Sequence, residues 1–332
     1  MKIINVVTSS TLPKYKQIVF SIEAAISDNR LKKNDKLPSV NKVSLEFSIS
    51  RDTVLLAYDE LKKRGIIYAI LGKGYYVKSV EFSFEQRIFL LFDELNIFKE
   101  DIYTSFLEKM NNTAQIDIFF HHFNIEMVKK LINESNGDYS KYIIMPTNLV
   151  GVADLIKILP KQDVYILDQT NSDLKEYPSI HQNFVKDMYD ALLEGKVLLH
   201  KYKKLILIFP GFREPLGMKI GFEKFCLDFS FPNEIITDFN AREIQNGDVY
   251  IIPDDRDLVR VVEQGKLQKL KLGSDFGIIS YNETPLKKVV ENGITTISTD
   301  FNEMGALLAE MILENKKIQI ENKNKLIIRN SL

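Results

Sequence analysis

The sequence is poor in residues that build covalent or metal-based frameworks. It has a single cysteine among 332 residues, Cys226, so no disulfide can form within the chain. No metal-ligand spacing surrounds this cysteine, and the histidines show no pattern of the HExxH type; they are His121, His122, His181 and His200. No Ser-His-Asp set or carboxylate pair requires catalysis. We therefore expect no metal site, no cofactor and no catalytic residue.

Long apolar runs are also missing. No stretch reaches the roughly 18 apolar residues that a transmembrane helix needs. The first residues lack the apolar core and cleavage site of a secretory signal. Apolar residues still make up 45% of the chain, which is enough to bury a core, and the length suits two or three domains. We expect a cytoplasmic protein with no membrane partner.

Net charge is distributed unevenly along the chain. The first 79 residues hold 14 lysines and arginines against 7 acidic residues, whereas the remaining 253 residues are net acidic. A small basic segment joined to a larger acidic one indicates an anionic partner for the first segment only. Charge runs are often no more than solvated surfaces, so this asymmetry alone does not identify nucleic acid.

Residues 1–79 show the periodicity of three helices followed by a β-hairpin. Pro13 suits the first turn of the first helix, because its missing N–H costs nothing there. Ser39 and Ser50 precede the second and third periodic stretches and can cap both helices. Gly65 suits the end of the third helix, and two short apolar runs flank a turn at 71–74. This order is typical of a winged helix-turn-helix.

A set of residues in this segment has the order and spacing of a known family. The set resembles the DNA-binding domain of the GntR family, and it consists of Leu37-Pro38-Ser39, Ser50 to Val54, Tyr58, Leu61, Gly65 to Ile67 and Gly72 to Val77. The resemblance implies that the third helix lies in the major groove and that the hairpin is a wing near the DNA backbone or minor groove.

The resemblance also implies which residues contact DNA. Arg51, near the start of the third helix, can donate a bidentate hydrogen bond to guanine. Lys73 lies between two glycines that permit close approach to the backbone. The serines can bind phosphate or serve only as helix caps. The expected DNA-binding residues are Ser39, Asn41, Ser50, Arg51, Asp52, Thr53, Gly72, Lys73 and Gly74.

Two departures from the family pattern bear on base preference. Asn41 and Leu55 stand where the family often has arginine. The family's usual base preference therefore does not carry over to these two positions, and the amide of Asn41 matches the edge of adenine instead.

Beyond a linker at residues 80–84, short apolar runs alternate with amphipathic stretches. The alternation predicts parallel strands covered by helices on both faces, an α/β domain over residues 85–332. The predicted strands are 87–92, 116–120, 141–145, 164–167, 204–209, 234–239, 248–252 and 276–280.

Three later segments, residues 248–255, 277–283 and 293–305, resemble the effector domain of LacI-type regulators. That resemblance implies a periplasmic-binding-protein-like fold with two doubly wound lobes around a cleft. Lobe one would take about 85–180 and 300–320, and lobe two about 181–299 and 321–332.

Ligands of open α/β sheets bind beyond the carboxyl ends of the strands. Acidic and amide side chains that follow the predicted strands can accept the hydroxyls of a sugar. The family's effector arginine falls on Met218, and Arg213 is the expected substitute. The predicted effector-binding residues are Asp93, Glu94, Asp168, Arg213, Asp254, Asp255, Asn282 and Glu283, and each can instead be a helix cap or loop carboxylate. His121 and His122 are more consistent with a loop role.

These features predict a homodimeric repressor that reads a pseudo-palindromic operator and is released by a monosaccharide; the opposite sign, a ligand that promotes DNA binding, stays open. Family analogy alone favours a pentose or a 6-deoxyhexose. Three alternatives stay open at this point: a pyridoxal-phosphate-binding, aminotransferase-like domain, an all-helical metal- or fatty-acid-binding domain, and a binding protein for transported sugars. A length of about 250 residues and the lack of a lysine in a cofactor context disfavour the first alternative, and the many strands disfavour the second. The absent export signal and the DNA-binding motifs disfavour the third, so we expect a regulator and not an enzyme.

Overall fold

A computed structural model describes residues 3–7, 9–10, 12–80, 86–111, 113–211, 213–240 and 242–332. Of the predicted linker at 80–84, residues 81–84 lie outside this described part, as does residue 85. The described chain forms a small amino-terminal domain, here called the head, and two α/β lobes.

The head has three helices and a two-stranded wing. Its elements are α1 (Lys14–Ser27), α2 (Val40–Phe47), α3 (Arg51–Lys63), β1 (Ile67–Ile70) and β2 (Gly74–Val77), with the two strands antiparallel. Ser48 adopts a left-handed conformation (φ 53°) at the end of α2 and so makes the turn into α3. Apolar side chains from all three helices and both strands form one core, which includes Ile18, Ile22, Val43, Val54, Tyr58, Leu61 and Val77.

Lobe one contains a six-stranded parallel sheet. Its strands are β3 (Gln86–Phe92), β4 (Ala114–Phe120), β5 (Lys141–Ile144), β6 (Val164–Asp168), β7 (Ser179–His181) and β13 (Gln319–Glu321), in the spatial order β13-β7-β6-β5-β3-β4. Its helices are α4 (Ile97–Met110), α5 (Ile125–Ser135), α6 (Val152–Ile156) and α11 (Phe301–Leu313).

Lobe two has a second six-stranded sheet. Its strands are β8 (Lys204–Ile208), β9 (Asn233–Ile236), β10 (Asp248–Ile252), β11 (Gly277–Tyr281), β12 (Thr295–Thr299) and β14 (Asn324–Ile327), in the order β14-β12-β11-β10-β8-β9. Only the edge strand β14 is antiparallel to its neighbour. The helices are α7 (Phe184–Glu194), α8 (Lys196–Leu199), α9 (Leu216–Asp228) and α10 (Asp255–Leu267).

Both sheets are covered on both faces. In β3, Leu90 and Phe92 pack with α4 and α11, whereas Phe89 and Leu91 pack with α5 and α6. The strands therefore read as continuous apolar runs, as buried parallel strands do. The predicted fold class, a winged helix-turn-helix followed by a two-lobed doubly wound domain, is confirmed. An all-helical effector domain is wrong for this chain, because twelve strands build the two lobes within the described residues.

The chain passes between the lobes three times among the described residues. The crossings join β7 to α7, β12 to α11, and β13 to β14. As a result, the carboxyl ends of the parallel strands of both sheets face a shared cleft. All eight strands predicted from sequence are present, with ends shifted by up to three residues, whereas β7, β12, β13 and β14 were not among them.

Candidate DNA interface and ligand cleft

The start of α3 presents exposed polar side chains beside free helix amides. Arg51 and Asp52 are exposed, and the side chain of Ser50 accepts a hydrogen bond from the backbone N–H of Thr53 at 3.1 Å. The hydroxyls of Ser50 and Thr53 lie 2.7 Å apart. This cap fixes the first turn of α3, so the Arg51 guanidinium projects from a rigid helix end that also favours phosphate.

The start of α2 is built in the same way. The side chain of Ser39 accepts from the backbone N–H of Lys42 at 3.2 Å, and Asn41 is exposed in the first turn. Ser39 and Ser50 are therefore helix caps in this structure. Arg51, Asp52 and Asn41 are exposed at these two helix ends, and the capping serines stay predicted phosphate contacts.

The wing is joined rigidly to the helices. The hydroxyl of Tyr58 on α3 donates to the carbonyl of Pro38 at 2.7 Å, and its ring meets Tyr75 of β2 edge to face at 4.8 Å. At the tip, Gly72 (φ 73°) and Gly74 (φ 108°) adopt backbone conformations that favour glycine. Lys73 between them is exposed, so the tip can approach a phosphate backbone closely.

A cavity of about 310 Å³ lies between the two lobes at the carboxyl ends of their strands. Seven of the eight effector-binding residues expected from sequence line it, and they are Asp93, Glu94, Asp168, Arg213, Asp254, Asp255 and Asn282. Aromatic side chains complete part of the wall: Phe98, Phe123, Phe184 and Phe301. The wall thus combines hydrogen-bonding groups with flat apolar faces.

The lobe-one side of the cleft is a buried polar network. Lys99 of α4 pairs with Asp93 at 3.0 Å, and Gln182 donates to the carboxylate of Asp168. The carbonyl oxygen of the Gln182 amide accepts from Thr299 at 2.8 Å. Burial raises the pKa of Asp168, an effect that the nearby Lys99 opposes. Asp168 also has a left-handed backbone (φ 70°), a strained conformation common at binding sites.

The lobe-two side is organised by a buried lysine. Lys287 pairs with Asp255 at 2.8 Å and donates to the carbonyls of Tyr281 and Asn282 at 2.9 and 2.8 Å. Burial lowers the pKa of Lys287. Asp254 caps α10 by accepting from the N–H of Arg256 at 2.7 Å. These contacts set the position of the turn that carries Asn282.

Two polar atoms on this side have no hydrogen-bond partner among the described residues. They are the side-chain oxygen of Asn282 and the hydroxyl of Tyr281, both buried. Buried polar groups in proteins are nearly always hydrogen-bonded, to protein, water or ligand. A ligand hydroxyl placed in the cleft would supply the missing partner.

Glu283 is not brought to the cleft. Its carboxylate accepts hydrogen bonds from the Arg329 guanidinium at 2.8 and 2.9 Å and from the hydroxyl of Thr296. Partial burial favours a higher pKa, but these hydrogen bonds and the charge of Arg329 together hold the pKa of Glu283 below its ordinary value. Glu283 follows the strand immediately after Asn282, but its side chain lies against the edge of lobe two. Its expected role in effector binding is corrected to a structural ion pair.

Sequence reasoning missed several residues that line the cleft. Lys99, Gln182 and Lys287 lie in helices or turns whose local patterns carry no sign of a binding role. Phe123 follows β4, beside the histidine pair considered above. His121 is fully buried, lies 3.0 Å from the carbonyl of Met145 through Nε2, and accepts from the N–H of Phe123 through Nδ1 at 3.1 Å. It therefore positions Phe123.

Carboxylates outnumber cationic side chains in the cleft. The acidic members are Asp93, Glu94, Asp168, Glu214, Asp254 and Asp255, and the basic ones are Lys99, Arg213 and Lys287. Such a wall favours a neutral ligand with many hydroxyls and opposes a phosphorylated one. Across the described residues, no group of three or more His, Cys, Asp or Glu side chains is placed to hold a metal ion. No described helix is long and apolar enough to cross a membrane.

Comparisons with known proteins agree with this two-part organisation. Residues 14–77 match the family described as bacterial regulatory proteins, gntR family. The chain is 23% identical, over 72% of its length and 84% of the relative, to the uncharacterized HTH-type transcriptional regulator YydK of Bacillus subtilis (strain 168). It is 39% identical to the arabinose metabolism transcriptional repressor of Geobacillus stearothermophilus over 67 residues, which are 20% of this chain and 18% of that protein.

Among solved structures, a LacI family transcriptional regulator from Silicibacter pomeroyi superposes with a TM-score of 0.62. The match covers 74% of this chain and 98% of that one at 12% identity, so it shows a shared fold. The chain thus joins a head that matches a family of bacterial regulatory proteins to two lobes that have the fold of LacI-type regulators. More particularly, residues 14–77 form a helix-turn-helix domain of the gntR family, and the two lobes have the periplasmic-binding-protein-like fold. An aminotransferase-like domain is wrong for this chain.

Proposed function

We propose that this protein is a cytoplasmic, homodimeric repressor of carbohydrate-use genes that a monosaccharide releases from a pseudo-palindromic operator. The observation that carries the proposal is the cleft, which lies between two lobes of one chain that also bears a DNA-binding head. A ligand that touches both lobes has different affinity for open and closed arrangements, which is the condition for a switch.

The chemistry of the wall supports a sugar. The carboxylates of Asp93 and Asp168 accept hydroxyl hydrogen bonds, and the unpartnered oxygen of Asn282 adds a third acceptor on the opposite lobe. Phe123 and Phe184 can cover the apolar face of a sugar ring. The acidic balance favours an unphosphorylated sugar. The choice of a pentose, with a 6-deoxyhexose as the second choice, rests on family analogy alone.

On the DNA side, Arg51 would read guanine in the major groove, and Lys73 would contact the backbone from the wing. A dimer would place two heads on two half-sites, so the operator would share the two-fold symmetry of the protein. Closure of the lobes would change the separation of the heads. A coupling of about 1–3 kcal/mol would weaken operator binding roughly 5- to 150-fold.

The test uses the full chain. Fragments of the genome that encodes the protein are first selected for binding to it. The retained fragments are then assayed by gel shift at several salt concentrations. Each assay is repeated with L-arabinose, D-xylose, L-fucose, L-rhamnose and the 5-phosphate of arabinose. We expect salt-sensitive binding to a two-fold-symmetric site and release by one free sugar. If no fragment is retained, the regulator proposal fails. If fragments bind but no sugar alters binding, only the effector assignment fails.

A further inference from the structure

The head is held against lobe one by a contact centred on one lysine. The ammonium of Lys16 on α1 lies 2.6 Å from the carboxylate of Asp138 and donates to the carbonyl of Asn136 at 2.9 Å. Both partners belong to the segment between α5 and β5 in lobe one. Lys16 is only 7% exposed, so this DNA-domain lysine is not available to phosphate.

The backbone of lobe one is shaped for this contact. Gly137, between the two partners of Lys16, has φ 84°, which favours glycine. A Cβ at this position would lie 2.5 Å from the side chain of Leu12 and 2.6 Å from that of Lys16. Any other residue would therefore be strained at this φ and would displace the side chains of Leu12 and Lys16, which disturbs the contact.

The rest of the boundary between head and lobe is loosely packed. A cavity of about 460 Å³ lies there, lined by α1 and α3 of the head and by residues 86–87, 115 and 137–140 of lobe one. Glu23 of the head faces this space and pairs with Arg64 of the same domain at 2.6 Å. Arg87 of lobe one pairs with Asp117 of its own lobe. Glu23 and Arg87 therefore each form their ion pair within their own domain, whereas Lys16 forms an ion pair between the domains.

We propose that Lys16, Asp138 and the backbone at 136–137 form an intramolecular latch that makes the head move with lobe one as one body. The latch lies at the amino end of β5, on the edge of the lobe-one sheet opposite the cleft. With the latch formed, Arg51 is exposed at the amino end of α3, the end of this helix away from the cavity. The link is therefore compatible with DNA binding, and it sets the direction in which the head points.

The latch can be tested by charge reversal in the full chain. Lys16→Glu and Asp138→Lys each place like charges together, and the double variant restores an opposite pair. Lys14→Glu makes the same charge change at an exposed site on the same helix. Spin labels at Lys33→Cys and Asn133→Cys report the distance between head and lobe one, because the native Cys226 is buried.

We expect one narrow distance distribution in the parent and in Lys14→Glu, and a broad distribution in each single latch variant. The rate of amide hydrogen exchange at residues 136–140 should rise about tenfold in the single variants. In the double variant it should return most of the way to the parent's rate. Circular dichroism and binding to non-specific duplex check that the head stays folded; if it does not, the neutral pair Lys16→Met and Asp138→Asn replaces the reversals. A broad distribution in the parent, or narrow ones in both single variants, would overturn the latch.

Discussion

Arg213 of lobe two donates a 2.8 Å hydrogen bond to Glu94 of lobe one across the mouth of the cleft. The guanidinium also lies 5.2 Å from the centre of the Phe123 ring. Both charged residues were expected to bind the effector, yet here they pair with each other. The pair is a direct tie between the lobes at the point where a ligand would enter.

Arg213→Ala should shift the lobes toward a more open arrangement with little loss of stability. The two side chains are 57% and 31% exposed, so the pair contributes less than about 1 kcal/mol to the free energy of unfolding. Small-angle scattering should show a larger radius of gyration. The control is Lys161→Ala, which removes a cation of the same exposure, 57%, from its pair with Glu176 inside lobe one. An unchanged radius in Arg213→Ala would show that the pair does not hold the lobes together.

Arg51→Ala should reduce sequence-specific DNA binding more than non-specific binding. A bidentate arginine–guanine contact discriminates between bases by about 1–3 kcal/mol, which is roughly 5- to 150-fold in affinity. Lys63→Ala is the matched control, since it removes the same charge at the exposed carboxyl end of the same helix. Affinities for a selected fragment and for its scrambled version are measured at two salt concentrations. If both variants lose equal affinity for both fragments, Arg51 contributes only charge.

The head was predictable because its signals are local. The caps Ser39 and Ser50, the apolar spacing of α1 and α3, and the glycines of the wing each act within a few residues. The strands β3 to β6 were predictable for a similar reason, because their buried apolar runs are continuous. In contrast, β12 (Thr295–Thr299) is rich in threonine, although all five of its residues are buried, so its hydrophobicity did not reveal it.

The position of the cleft was predicted from sheet topology, and the errors in predicting its lining residues arise because topology says nothing about side-chain direction. The rule that parallel strands end at the binding edge identifies Asp93, Asp168 and Asn282 without any knowledge of side-chain direction. The rule cannot distinguish Asn282, which lines the cleft, from its neighbour Glu283, which does not. The Glu283 side chain is instead bound by Arg329, a residue 46 positions later in the chain. Lys99 and Lys287 acquire their roles from tertiary packing against Asp93 and Asp255, which no local spacing encodes.

Gly305→Ala should destabilise lobe one, although alanine is the better helix former by about 1 kcal/mol. The new Cβ would lie 2.1 Å from the hydroxyl of Ser105 and 2.2 Å from the backbone carbonyl of Ile102, where α11 packs on α4. Because the carbonyl belongs to a helix backbone, it cannot move aside, and we expect a loss of about 1–3 kcal/mol. Denaturant unfolding measures the change in the free energy of unfolding, and Asn302→Ala on the exposed face of α11 is the control. A gain in stability would mean that the helices separate easily.

Asp187, in the first turn of α7, should make the stability of the protein depend on pH. Burial, and secondarily the charge of Glu321, raises the pKa of Asp187 to about 7, and Lys186 opposes this shift. Its Oδ2 atom has no hydrogen-bond partner among the described residues. The folded protein therefore prefers the protonated carboxyl. The stability that this preference supplies is complete below the ordinary pKa of about 3.8 and is lost as the pH rises through about 7.

Asp187→Asn replaces the acid with a group that stays neutral. Relative to the parent, the variant should gain stability as the pH rises from 4 to 8, by up to about 4 kcal/mol at about 1.4 kcal/mol per unit of pKa shift. Urea unfolding of both proteins at four pH values gives the difference in the free energy of unfolding. Asp190→Asn, at an exposed site on the same helix, controls for the general effect of removing a charge. The free energies of unfolding of Asp187→Asn and the parent could instead differ by the same amount at every pH. That result would show that Asp187 is ionised in the folded protein throughout this range, and that a partner such as bound water offsets its burial.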